Sequence, residues 1–253
     1  MIEQVSIDVT NYCDKGCWFC YNQSSKEGQS NWTGDELLSF LIDCVNSGVK
    51  AISFGGGEPL SFKDLFKITR VLSSKAFVSV TTNGLLLDNP QIFEQVICSG
   101  IDKIHITIHF PEKIDEVERV INQIIRLQHT NTVLCGVNLL VSNKNYLDAG
   151  KVYKDIRKFL LPKNIILVPM RYKNTPSLQQ LSDVSNGEPF QSPSCFLKCS
   201  YSKTFCSVSY DQKVNWCSYA LGKEKLESLD YAGLEKALNR VVFRTCDTIP
   251  CKI

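Results

Sequence analysis

Residues 5–20 read VSIDVTNYCDKGCWFC, a short alternating run followed at once by three closely spaced cysteines. The run Val5–Thr10 alternates apolar and polar side chains, which predicts a β-strand. Cys13, Cys17 and Cys20 follow with the spacing C-x3-C-x2-C, so one loop carries three thiols. Thiolates are the ligands of iron–sulfur clusters, and three of them leave one iron of a cubane open to another ligand. Structural zinc is the alternative, although zinc prefers four protein ligands.

The composition is that of an ordinary globular chain. Of 253 residues, 43% are hydrophobic and 21% are charged, and the net charge is +2. No basic tract or acidic tail stands out, so the sequence suggests neither nucleic acid nor a membrane surface as a partner. The first residues lack the basic start of a signal peptide, and no stretch approaches the ~18 apolar residues of a membrane span. We therefore expect a cytoplasmic protein.

The cysteines are the unusual feature of the composition. Twelve thiols in a reducing compartment indicate metal or redox chemistry rather than a disulfide scaffold. Three lie within residues 13–20 and six within residues 195–251. Cys44, Cys98 and Cys135 stand alone in apolar surroundings, and we predict that they are small core residues.

From residue 5 to residue 170, β-rich runs alternate with helical patterns, and helical spacing is clearest in 113–128 and 145–160. Such βα units imply parallel strands joined by right-handed crossovers. The predicted strands are Val5–Thr10, Ala51–Phe54, Phe77–Thr82, Ile104–His109, Val133–Val141 and Ile165–Met170. The predicted helix starts are Thr33 with Glu36, Ser61 with Asp64, and Asn89 before Pro90.

The fourth strand distinguishes a doubly wound sheet from a barrel. His105, Thr107 and His109 occupy one face of this strand, and isoleucines occupy the other. Similar rows of alternate polar residues begin at Ser6 on the first strand and at Ser79 on the third. A doubly wound sheet has helices on both faces and reads as continuous apolar strands. The polar rows therefore predict an α/β fold, a partial barrel of six parallel strands whose lumen holds a ligand.

The alternation stops after residue 170. Residues 171–194 have the composition of a linker. Residues 195–253 are rich in cysteine, with a hairpin predicted around Tyr210–Lys213 and one helix near 230–240. We predict a barrel over residues 1–170, a linker, and a small second module.

Further ligand-binding signals fall just past the carboxyl ends of strands, where barrel enzymes keep their chemistry. The second strand is followed by Gly55-Gly56-Gly57-Glu58-Pro59, which offers bare backbone and a carboxylate. The third is followed by Thr82-Asn83-Gly84, and Thr107 and His109 end the fourth. Each signal alone is typical of an ordinary turn. Their occurrence in order on successive strands indicates a site.

This ordered set resembles the radical S-adenosylmethionine (SAM) superfamily over roughly residues 1–170. The resemblance implies that Cys13, Cys17 and Cys20 hold a [4Fe–4S] cluster whose open iron binds the amino and carboxylate groups of SAM. It implies further contacts with SAM as follows: Phe19 beside the adenine, Gly56, Gly57 and Glu58 at the amino group, Asn83 near the ribose, Thr107 near the carboxylate, and Asn138 in the lumen.

The same resemblance implies the chemistry. An electron delivered by an external donor, flavodoxin-like or ferredoxin-like, reaches the sulfonium through the cluster and yields methionine and a 5′-deoxyadenosyl radical. The radical abstracts hydrogen from an unactivated C–H bond, and the protein positions that bond.

The carboxyl-terminal region is similar to the SPASM and Twitch modules, which bind auxiliary [4Fe–4S] clusters. Cys199 and Cys217 flank the predicted hairpin, and Gln212 stands where the family has glycine. The resemblance implies that Cys246 and Cys251 complete four ligands of one cluster, as in the shorter Twitch type.

Four residues keep alternative interpretations. Cys195 or Cys206 could replace Cys199 as a ligand, donate hydrogen to a substrate radical as in peptide epimerases, or be a plain buried thiol. His105 and His109 either touch substrate or are hydrogen-bonded lumen residues.

The sequence therefore predicts a radical SAM enzyme that modifies a peptide by epimerisation, oxidation or cross-linking, with a separate peptide-recognition protein or a direct fit in the lumen. The alternative is a small-molecule dehydrogenase acting on an aminocyclitol-like alcohol. From another class, an iron–sulfur electron carrier or a zinc-binding module would explain the cysteines but not the glycine-rich loop.

Overall fold

The computed structural model describes residues 1–171, 174–193 and 201–244 of the chain. Its centre is a sheet of six parallel strands in the order in which they occur along the chain, which confirms the predicted partial barrel. The strands are β1 (Gln4–Thr10), β2 (Ala51–Gly56), β3 (Phe77–Thr82), β4 (Lys103–Ile108), β5 (Leu134–Val141) and β6 (Ile165–Pro169).

Helices follow the strands and cover the outer face of the sheet. They are α1 (Gly34–Asn46), α2 (Leu65–Leu72), α3 (Pro90–Cys98), α4 (Ile114–Thr130), α5 (Tyr146–Ile156), α6 (Leu178–Val184) and α7 (Tyr231–Arg240). The predicted capping box of Thr33 and Glu36 opens α1, and Asn89 caps α3. The predicted cap of α2 is wrong, because Asp64 makes no capping bond and the Ser61 hydroxyl donates to the Glu58 carbonyl oxygen instead.

Alternating faces explain the position of the core. Ile7, Phe54 and Ile104 are fully buried beneath the helices, whereas Ser6, Ser53 and Ser79 lie on the inner face. Cys44 and Cys135 are buried as predicted. The prediction for Cys98 is wrong, because the last residue of α3 is exposed to solvent.

The carboxyl-terminal region extends the same sheet. Strand β7 (Phe205–Val208) pairs in parallel with β1, and β8 (Lys213–Asn215) and β9 (Glu224–Lys225) follow in antiparallel. The predicted hairpin and helix are therefore present, and α7 lies against β8, β9 and α1. The barrel is thus followed by a small antiparallel module that joins it through β7.

The segment predicted as a linker contains a helix. Ser177 and Gln180 form a capping box at the start of α6, and Leu181 and Val184 are buried against the core. Gln191 also forms a β-bridge with Ile166. Much of residues 171–194 is therefore packed on the barrel.

Among the described helices, none combines the length and the apolar character needed to cross a lipid bilayer.

Candidate active site

The three-cysteine loop leaves the carboxyl end of β1 and is tied to itself by backbone hydrogen bonds. Cys13 N donates to Ser25 O at 2.8 Å, and Ser25 N donates to Asn11 O at 3.1 Å. Gly16, between the first two cysteines, has a φ of 64°, a conformation that favours glycine. The loop is therefore shaped by its own backbone.

Cys13, Cys17 and Cys20 are partly buried and form no disulfide. Burial raises the pKa of the Cys13 thiol and raises that of Cys17 to about 12. The thiols of Cys13 and Cys17 therefore stay protonated until a cation competes for the sulfur.

The donor set fits a [4Fe–4S] cluster. Within the described ranges, no three His, Cys, Asp or Glu side chains converge closely enough to hold one metal ion. A cubane bonds each thiolate through a different iron, so its ligands stand further apart than those of a single ion. Three free thiols on one loop match such a cluster with one iron left for another ligand.

The glycines at the end of β2 and just after it lie directly beneath this loop. Gly57 N donates to Thr10 O and Glu58 N donates to Tyr12 O, both at 2.7 Å. A Cβ on Gly57 would overlap the carbonyl oxygen of Tyr12, and Gly56 has a φ of 108°. Besides any contact with SAM, these glycines are required because two backbones cross here.

Glu58 has a structural role besides its predicted contact with SAM. Its side chain is fully buried, and its carboxylate accepts hydrogen bonds from Thr82 Oγ1 at 2.8 Å, Leu60 N at 3.0 Å and Asn83 N at 2.8 Å. Burial raises the pKa of Glu58 to about 7. Both oxygens accept hydrogen bonds inside the protein, so the carboxylate fixes the Thr82-Asn83 turn. The contact of Glu58 with the amino group of SAM stays a prediction.

Asn83 reaches the cysteine loop itself. Its Nδ2 lies 3.5 Å from Cys13 Sγ and 3.3 Å from Asp14 Oδ1, and its Oδ1 accepts from Leu85 N. The side chain predicted near the ribose therefore also connects β3 to the first cysteine. Asp14 had no sequence signal beyond its position between two cysteines.

An ion pair that the sequence did not predict joins the cysteine loop to α4. Lys15 Nζ lies 2.8 Å from Glu116 Oε1, and each side chain is 8% exposed. The same carboxylate accepts from His109 N at 2.7 Å. Glu116, in the first turn of α4, thus holds both the cysteine loop and the end of β4.

The aromatic residue before the third cysteine packs against the end of β4. The rings of Phe19 and His109 are stacked with centroids 6.2 Å apart, and Phe110 lies 5.6 Å from Phe19. Burial lowers the pKa of His109 to about 3, so its imidazole is neutral. His109 therefore supports Phe19 at the mouth of the barrel.

The remaining predicted lumen residues lie on β4 and β5. Thr107 is paired with Asn138 and His105 with Gly136 in the parallel register. A Cβ on Gly136 would stand 2.8 Å from His105 Cε1, so glycine makes room for the imidazole. Burial lowers the pKa of His105 to about 4. The structure thus brings Thr107, Asn138 and His105 to one inner surface.

Only some of the candidate residues in the carboxyl-terminal region lie within the described part of the chain. Cys206 is fully buried on the core face of β7, where burial raises its thiol pKa, and this position speaks against the predicted role as a hydrogen donor. Cys217 follows β8 as a half-buried free thiol. Gln212 has a φ of 60°, so it adopts the turn conformation that glycine would favour. The predicted ligands and hydrogen donors that lie outside the described residues are Cys195, Cys199, Cys246 and Cys251.

Similar proteins come from several organisms. The probable GTP 3′,8-cyclase of Methanocella arvoryzae is 36% identical over 107 residues, which are 42% of this chain and 34% of that protein. That of Methanocaldococcus jannaschii is 26% identical over 197 residues, 73% of this chain and 65% of that protein. The chain therefore spans between a third and two thirds of the length of these relatives.

Two solved structures share the fold. Streptococcus suis SuiB bound to S-adenosylmethionine has a TM-score of 0.69 at 15% identity, covering 89% of this chain and 63% of that one. The histidine-tagged anSMEcpe with bound AdoMet has a TM-score of 0.69 at 15% identity, covering 96% and 81%. The family model of the Radical SAM superfamily matches residues 7–144, more than half of the chain. With three free thiols on the loop after β1, this chain belongs to the radical SAM superfamily.

Proposed function

We propose that this radical SAM enzyme abstracts hydrogen from a peptide held in the barrel lumen and so epimerises, oxidises or cross-links it. The observation that carries the proposal is a loop with three free thiols at the mouth of a polar barrel. SuiB bound to the precursor peptide SuiA shares the fold, with a TM-score of 0.68 over 86% of this chain, and supports a peptide as the substrate.

Each element of the site has a task in this reaction. Cys13, Cys17 and Cys20 would hold the [4Fe–4S] cluster. When bound, the cluster and SAM supply reductive cleavage of the sulfonium and a radical that takes hydrogen from carbon. The Lys15–Glu116 ion pair holds the loop in place, and buried Glu58 keeps Asn83 against it.

The lumen residues would orient the substrate and keep water away. Phe19 and His109 cover the mouth with aromatic surface, and Thr107 and Asn138 present polar groups below it. His105 is neutral, so it can donate or accept a hydrogen bond without bringing charge to a radical. A flavodoxin-like or ferredoxin-like donor would supply the electron, and a separate protein could present the peptide.

The decisive experiment is anaerobic reconstitution followed by incubation with SAM and dithionite. We expect 5′-deoxyadenosine from the wild type and none from Cys17→Ala. Cys98→Ala is the matched control, because Cys98 is an exposed thiol at the end of α3. An electron carrier or a zinc-binding module would form no 5′-deoxyadenosine in any variant.

A nucleotide is the second candidate substrate, because the curated relatives are named probable GTP 3′,8-cyclases. The two candidates are separated by supplying GTP or a short peptide encoded beside the gene. Consumption of GTP with no change in the peptide mass would favour the nucleotide. Loss of two hydrogens, or uptake of solvent deuterium by the peptide, would favour peptide modification.

A further inference from the structure

The inner face of β1 carries a carboxylate that the mechanism above does not use. Asp8 lies between Ser6 and Thr10 on this face and is 2% exposed. Its Oδ1 accepts a hydrogen bond from the Tyr21 hydroxyl at 3.2 Å. Its Oδ2 has no hydrogen-bond partner among the described residues.

A buried carboxylate oxygen without a donor is uncommon and costly. Two carboxylate oxygens offer about four acceptor positions, and buried polar atoms in folded proteins nearly always have partners. Burial raises the pKa of Asp8 to about 6, with the nearby Lys223 charge opposing this shift. Asp8 is therefore largely ionised near neutral pH, and its charge is only partly compensated.

Two neighbouring strands also carry buried polar atoms that lack hydrogen-bond partners among the described residues. Ser207 on β7 is paired with Ser6 on one side and with Asn215 on the other, so the three share a face. Ser207 Oγ and Asn215 Oδ1 are buried and lack partners within the described part of the chain. Asp8 Oδ2 and Asn215 Oδ1 are acceptors only, so whatever satisfies them must donate hydrogen bonds.

A glycine lies beside Asp8 on the adjacent strand. The neighbour of Asp8 on β2 is Gly55, where an added Cβ would lie 3.9 Å from Asp8 Oδ1, so no side chain covers the carboxylate from that strand. The ring of Tyr21 lies 4.6 Å from that of Tyr219, and the Arg171 guanidinium stands 4.7 Å from Tyr219. Arg171 follows β6, so this aromatic contact spans from the far edge of the six-stranded sheet to β1.

We propose that Asp8, with the Tyr21 hydroxyl, is a substrate-anchoring site that binds a hydrogen-bond-donating group of the substrate, an amine or a hydroxyl. This inference rests on the proposed function, because it requires a substrate in the lumen. The group would bind Asp8 Oδ2, with Tyr21 and Tyr219 offering apolar ring surface beside it.

The first test compares the stability of Asp8→Asn with that of Asp102→Asn, both as anaerobic holoenzymes. Asp102 is the matched control, because its carboxylate already accepts from Val78 N at 2.7 Å. If Asp8 is unsatisfied until substrate binds, D8N should raise the melting temperature by roughly 3–6 °C. D102N should lower it. If the melting temperature of D8N fell as far as that of D102N, the role of Asp8 would be structural and the proposal would be overturned.

The second test uses two probes, benzylammonium and benzyl alcohol, which share a ring and differ in the donor. We expect the wild type to bind at least one of them about tenfold more tightly than D8N does, because one charged hydrogen bond is lost. A preference for benzylammonium would assign an amine, and a preference for the alcohol a hydroxyl. If the wild type and D8N bound each probe with equal affinity, or if neither protein bound either probe, the proposal would be overturned.

Neither test depends on turnover. If the wild type formed no 5′-deoxyadenosine, the proposed function would fail, while the stability and binding results would still judge Asp8. If 5′-deoxyadenosine formed but D8N matched the wild type in stability and probe binding, only the anchoring site would fail.

Discussion

At the scale of single residues, Gly57 allows the cysteine loop to approach the sheet closely, because glycine has no Cβ. Gly57→Ala would place a Cβ against the Tyr12 carbonyl oxygen, which is backbone and cannot rotate away. We expect a loss of about 2–3 kcal/mol of unfolding free energy and less than half of the iron bound after reconstitution. Urea unfolding and iron analysis measure the two effects.

Gly150→Ala is the control for this substitution. Gly150 lies inside α5, and an added Cβ would stand 3.7 Å from Val184 Cα, which is ordinary contact. Alanine should therefore stabilise the helix by about 0.5–1 kcal/mol and leave iron binding unchanged. Equal iron binding by the two alanine variants would contradict the crossing-backbone argument.

His105 makes stability depend on pH. Its folded pKa, about 4, lies below the usual value because of burial, so its contribution is complete above pH ~6.5 and is lost as the pH falls towards 4. Between pH 8 and pH 6 the wild type should lose about 1 kcal/mol more unfolding free energy than His105→Gln. Asp8 and Glu58 titrate in the opposite sense but are common to both proteins. Urea unfolding at the two pH values measures this difference. If the wild type and His105→Gln lost the same unfolding free energy, His105 would not be the source of the pH dependence.

At the scale of elements, the Lys15–Glu116 ion pair joins the cysteine loop to α4. Both side chains are buried, so Lys15→Met or Glu116→Gln leaves one uncompensated charge and should cost about 3 kcal/mol. Each single variant should also release iron to a chelator faster than the wild type does. The double variant should recover part of the loss, because neither charge remains.

Lys67 and Asp35 provide the matched pair for this prediction. Their ion pair is 2.7 Å long but exposed, with 56% and 86% of the side chains accessible. Lys67→Met should cost less than about 1 kcal/mol and leave iron release unchanged. If it accelerated iron release as much as Lys15→Met, burial would not distinguish the two ion pairs.

The elements also show what a sequence can reveal. All six strands, the capped α1 and α3, and the motifs past the strand ends follow from local patterns, because periodicity and capping are short-range. The role of Glu58 does not follow, because two of its partners, Thr82 and Asn83, lie on the next βα unit. Lys15 and Glu116 are 101 residues apart in the chain, and no local pattern links them. Helix α6 could have been found from Ser177 and Gln180, but the surrounding loop composition masked this capping box.

At the scale of the whole molecule, β7 makes the barrel and the carboxyl-terminal module one continuous sheet. The parallel pairing of Val5 with Cys206 fixes the register, and Trp32 Nε1 donates to Ser209 O across the junction. Gln212 lies in the turn after β7 and contacts the segment that follows the cysteine loop, because its Nε2 donates to Asn31 O at 3.1 Å. The module that carries Cys217 is therefore held in a defined position beside the barrel rather than on a free tether.

That arrangement makes an auxiliary cluster testable by counting iron. With two [4Fe–4S] clusters the wild type should bind roughly eight irons per chain, and Cys217→Ala or Cys17→Ala roughly four. Only Cys17→Ala should abolish the change that SAM produces in the electron paramagnetic resonance spectrum of the reduced protein, because Cys17 belongs to the loop at the barrel mouth. Cys98→Ala should keep the wild-type iron content. A wild type that binds four irons, with Cys217→Ala identical to it, would remove the auxiliary cluster and leave Cys217 as a half-buried thiol of the β8 turn.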